Sequence, residues 1–69
     1  MDFAEAFRKL LTRGCCIRRR CWLSSVYLHV QDGRLRYRLW DSFMGDWFSE
    51  DARLYGHDLM ANDWEIYND

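Results

Sequence analysis

At 69 residues, 49% of them hydrophobic and 17% aromatic, the chain is too short for two cores and too apolar for a disordered tail. A net charge of −1 argues against a long polyanion as partner, and no apolar run of about 20 residues or signal-peptide pattern occurs. A single domain spanning 1–69, off the membrane, in the cytoplasm and with its cysteines reduced, is therefore expected.

Charge is divided along the chain. Residues 1–38 carry nine basic residues against three acidic ones, a surplus of +6. Residues 39–69 carry one against eight, or −7. Two readings are open: the halves attract each other, within or between copies, or the basic half forms a local anion pocket. A domain of this length buries only about 60% of its unfolded surface. Four Trp, four Tyr and four Phe are more than such a core can hide. A homo-oligomer, dimer or tetramer, is expected to cover some of them, or a ligand pocket to use them.

In chain order, Asp2 followed by Glu5 reads as an N-cap with its capping-box partner. Phe3, Phe7, Leu10 and Leu11 then form one apolar stripe, and Gly14 supplies a stop. A helix over 3–13 is predicted. A short strand from Cys15 to about Arg20 follows, anchored by Ile17. Residues 25–31 and 34–40 form a hairpin about Asp32-Gly33, the dipeptide of a two-residue type I′ turn. That turn pairs Val30 with Leu35, Leu28 with Tyr37 and Val26 with Leu39 on one face. The opposite face sets Tyr27 and His29 against Arg38 and Arg36, with Arg34 and Trp40 at the ends. In 41–57, Ser49-Glu50-Asp51 is read as the cap of a short helical turn. Residues 58–62 are read as a further turn, and Trp64–Tyr67 as a last strand with Trp64 and Ile66 inward. The fold class is thus α+β, an N-terminal helix on an antiparallel sheet of about four strands.

Arginines alternating with aromatic rings on one sheet face suit phosphate-plus-base recognition, since guanidinium forks phosphate and a ring stacks on a base. An ordinary solvated face has the same alternation. Cys15, Cys16 and Cys21 with His29 and His57 match no common zinc spacing. No metal or other cofactor is expected, and the thiols are read as buried or half-buried. Neither a nucleophile–base–orienter set nor a Gly-rich phosphate loop appears, so a binding protein is expected and no enzyme.

Three segments carry a resemblance: Phe3-Ala4-Glu5-Ala6, Arg19-x-x-Trp22, and Asp58-Leu59-Met60-Ala61-Asn62-Asp63-Trp64-Glu65. Together they resemble the small phage and prophage proteins of the second type of Thoeris anti-defence family, with a shorter middle. Cys21 stands where such proteins commonly have Gly. The resemblance implies a helix packed on an antiparallel sheet, assembled as a homotetramer. It also implies a molecular sponge that sequesters a cyclic ADP-ribose-type immune signal intact, with cyclic oligonucleotides of CBASS immunity as further ligands of some relatives. It implies ligand contacts at Arg19 and Trp22, to which the sheet face adds Tyr27, Arg36, Arg38 and Trp40. Asp63 is expected to satisfy local backbone donors and Trp64 to plug the core. The alternative is a small phage inhibitor that binds a host protein or nucleic acid through the basic–aromatic face.

Overall fold

A computed structural model of the chain describes residues 1–22 and 25–67. Helix α1 (Phe3–Arg13) begins where the Asp2 side chain accepts the Glu5 N–H at 2.8 Å. It ends at Gly14, whose left-handed backbone (φ 68°) lets its N–H reach the Leu10 carbonyl. The strands are β1 (Cys16–Arg19), β2 (Val26–Gln31), β3 (Arg34–Asp41), β4 (Asp46–Asp51) and β5 (Trp64–Tyr67), and a single helical turn, α2 (Gly56–Leu59), precedes β5. All pairings are antiparallel, in the order β4-β3-β2-β1-β5.

The central hairpin has the predicted register, with Val26, Leu28 and Val30 opposite Leu39, Tyr37 and Leu35. Asp32 and Gly33 both take positive φ, 53° and 75°, as a type I′ turn demands. Two expectations are corrected. The sheet has five strands, not four, because residues 49–51 extend β3's partner strand instead of capping a helix. The helical turn also starts two residues earlier than read, at Gly56. Strand β4 is an edge strand, exposed at every position but Trp47, so it lacks the alternation that marks a strand in sequence.

Helix α1 packs on β1, β5 and β2. Its Ala6 and Leu10 close on Ile17, Leu28 and Trp64, all buried, and this cluster is the core. A helix about 10 Å across covers two or three strands spaced about 4.8 Å apart, so β3 and β4 extend beyond it. On that side the connection from β4 to β5 crosses back, with Ala52, Leu54 and Ala61 packed against the core. Among the described residues, the other face of the sheet carries no helix.

Candidate functional site

The segments that carry the resemblance converge although some 40 residues separate them. Arg19, last in β1, shares the face of Ile17 but is carried out of the core by two carboxylates. Its Nε and Nη2 donate to Asp63 at 2.8 and 3.3 Å, and its Nη1 donates to Asp58 at 2.9 Å. Asp58 also accepts the Tyr55 N–H at 3.1 Å, while its carbonyl accepts the Trp64 indole N–H at 2.8 Å. Asp63 is thus the partner of the Arg19 guanidinium, in addition to the local backbone donor expected of it, its own N–H. Arg19, Asp58, Asp63 and Trp64 form one connected brace.

Electrostatics follow from this brace. Hydrogen bonds to Asp63 and Asp58 raise the Arg19 pKa above its ordinary value. Burial alone would push Asp58 up, but Arg19 and the Tyr55 N–H outweigh it and hold the carboxyl below its ordinary 3.8. Arg19 likewise depresses Asp63. Carboxylates depressed on folding contribute stability that is complete above the unfolded value and lost as pH falls through the lower folded one. We expect denaturant stability to draw on these two groups fully down to about pH 4 and to lose that contribution below it. An Asp63→Asn variant should be weaker at neutral pH and show a flatter acid limb in urea melts from pH 7 to 2; an unchanged limb would contradict the assignment.

Trp22 stands against the brace. Its N–H donates to the Arg19 carbonyl at 3.0 Å, and its own carbonyl accepts from Arg18, whose guanidinium folds back over the end of β1. The indole meets Trp64 edge-on at 5.3 Å and Tyr37 edge-on at 5.7 Å. Backbone and ring are thereby fixed before any ligand arrives.

Beyond Trp22 opens a cleft of about 440 Å³, on the strip of sheet that α1 leaves uncovered. Val26, Tyr37, Leu39 and Glu50 form its floor, and Trp22, Tyr55, His57 and Asp58 its walls. Tyr55 and His57 lie with their rings parallel, 5.8 Å apart. Burial holds the Tyr37 phenol above its ordinary 10, and its hydroxyl donates to the Arg53 carbonyl. Such apolar walls with a few polar groups suit a planar small molecule.

The six residues singled out in sequence do not meet within one copy. Trp22 lines the cleft, and Arg19 braces its wall with every guanidinium nitrogen engaged. Tyr27, Arg36, Arg38 and Trp40 lie on the opposite, helix-free face. There Tyr27 is buried beneath its neighbours, stacked on Tyr67 at 4.4 Å with Trp47 edge-on at 5.9 Å. Trp40 abuts Trp47 at 5.4 Å, and the Arg38 guanidinium lies 5.3 Å from the Trp47 ring centroid. Among the described residues, the buried Arg38 Nε has no hydrogen-bond partner. Arg36 is committed to Asp51 at 2.8 Å and to the hydroxyl and carbonyl of Ser49, both at 2.9 Å. Burial, then the charges of Arg38 and Arg36, hold His29 below its ordinary 6.5.

Sequence reasoning missed Glu50, Tyr55, His57 and Tyr37 as cleft residues, and Tyr67 and Trp47 on the open face. Only a correct β4 register, which sets Glu50 beside Tyr37 and Trp47 beside Trp40, would have found Glu50 and Trp47. Cys15 and Cys16 are half-buried as expected, but Cys21 is exposed, because it follows β1 in the turn that leads to Trp22. No helix among the described residues is long and apolar enough to cross a membrane. Fold and cleft together define a two-layer α+β domain with one preformed aromatic recess beside its helix. Comparison with protein-family models, with curated proteins and with solved structures yields no match.

Proposed function

We propose that this domain is a phage or prophage anti-defence protein that captures a cyclic nucleotide immune signal in the host cytoplasm and leaves its bonds intact. The observation that carries this reading is Trp22, a residue of the resembling segments, set rigidly in the wall of an aromatic cleft. A base stacked on such a ring gains about 1–3 kcal/mol, and a wall already in place spares the cost of ordering it. Arg19 serves this site by holding the wall. Dimer or tetramer formation would bring the cleft of one copy to the arginines of another.

The protein at stoichiometric concentration should deplete a cyclic ADP-ribose-type or cyclic oligonucleotide ligand from solution. Heat denaturation should then return it with its mass unchanged. Native mass spectrometry would give the ligand count and the assembly state together. Recovery of a cleaved product, or continuing loss of ligand at substoichiometric protein, would replace this reading with an enzymatic one.

A second reading is favoured by one observation on the open face, the unpartnered Arg38 Nε beside Trp47. It makes that face the surface of an inhibitor that binds a host protein or nucleic acid. Phosphate-backbone contacts would weaken steeply with salt, whereas retention of a small nucleotide in the cleft would not.

A further inference from the structure

Among the described residues the cleft has aromatic walls and no Lys or Arg in its lining; its one basic group is His57, whose Nε2 lies 3.6 Å from Asp58. Trp22, Tyr37, Tyr55 and His57 supply rings, and Glu50 and Asp58 supply two carboxylates. The Arg19 guanidinium is spent on Asp58 and Asp63, and its one positive charge against their two negative ones leaves those three groups at −1. Glu50 lies beside Tyr37 on the cleft floor and forms no ion pair among the described residues. Arg53 faces the neighbouring concavity together with Glu50 and Asp51, the latter already held by Arg36. A phosphate placed here would meet carboxylates and the negative faces of the rings.

We infer that the ring seated against Trp22 is a positively charged planar heterocycle, such as an N-alkylated purine, with any phosphates directed out of the cleft. This rests on the reading of the cleft as a nucleotide site and specifies its ligand class. Two physical effects act in the same direction. Aromatic faces attract a cation within about 6 Å of the ring centroid, by an amount that grows when water is excluded. The Glu50 carboxylate on the cleft floor, exposed and without an ion pair among the described residues, adds a Coulombic attraction. An uncharged base would stack equally well but would gain neither. The same charge pattern assigns the phosphates of a bound nucleotide to another surface, solvent or the arginine-bearing face of a second copy.

The test compares two nucleosides of the same size that differ in ring charge. At pH 7, 1-methyladenosine carries a positive charge on its purine and adenosine does not. Titration of the intact protein with each, followed by ring-proton shifts or calorimetry, should give about tenfold tighter binding of 1-methyladenosine. The preference should fall to threefold or less in Glu50→Gln, with circular dichroism confirming the fold. Equal binding of the two nucleosides would overturn the charge preference and leave the nucleotide reading standing. A preference that survives Glu50→Gln undiminished would also overturn the inference, since the carboxylate would then play no part. Binding of neither nucleoside, with Trp22 signals unmoved, would remove the cleft as a nucleotide site altogether.

Discussion

Replacement of Trp64 by alanine should bring the domain to the edge of unfolding at room temperature. Trp64 is the largest fully buried side chain, at 1% exposure. It touches Phe3 at 5.0 Å and Trp22 at 5.3 Å, and its indole N–H holds the Asp58 carbonyl. Truncation of a buried aromatic costs about 3–5 kcal/mol. A chain of 69 residues has a total stability of roughly 3–10 kcal/mol by the usual value per residue. Loss of this one ring therefore consumes a third or more of the stability and opens the brace as well. Trp64→Phe separates the two contributions. It keeps most of the packing but strands the Asp58 carbonyl, at about 1–3 kcal/mol. Urea melts should rank wild type above Trp64→Phe above Trp64→Ala; a cooperative native-like melt for Trp64→Ala would show that the core closes without this ring.

The second large effect is on binding. Trp22→Ala should abolish retention of a cyclic nucleotide at micromolar protein while the far-ultraviolet circular dichroism stays native. Trp22 is only half-buried, and its side chain lies at the margin of the core cluster, so its removal costs the fold less than that of Trp64. It costs the ligand its stacking surface, about 1–3 kcal/mol or roughly ten- to hundredfold in affinity. Calorimetry on a panel of cyclic nucleotides would measure this directly. Undiminished retention in a folded Trp22→Ala protein would move the site elsewhere, with the open face next in line. Arg19→Ala should behave differently, since it leaves Asp58 and Asp63 facing each other without their shared cation; its loss of binding should come with a loss of stability.

Local signals made much of this fold legible. The Asp2 cap and the Gly14 stop bound the helix, and Asp32-Gly33 sets the hairpin register; both depend on neighbours in sequence. The fifth strand was hidden for a physical reason. An edge strand with both faces largely in water has no need to alternate, and Ser49-Glu50-Asp51 has the composition of a helix start. The error carried into the site. Without β4 there was no way to place Glu50 beside Tyr37, and so no way to see that the recess holding Trp22 is acidic. The engagement of Arg19 was hidden for a related reason. A guanidinium in a short strand looks available for phosphate until carboxylates 39 and 44 residues downstream fold onto it. The open-face residues were placed correctly against one another, but nothing in the hairpin alone could reveal that Trp22 lies on the other side of the sheet.

The same acidic strand has a bearing on solubility. Strand β4 borders the sheet, and its outer backbone is a ready template for another chain. Were two copies to zip together there head to tail about the middle of Asp46–Asp51, Asp46 would face the partner's Asp51 at both ends of the ladder. Like charges set directly opposite disfavour such a pairing. Asp46 and Asp51 thus guard the sheet's border against runaway stacking into fibrils, and basic substitutions at either would be expected to remove that guard.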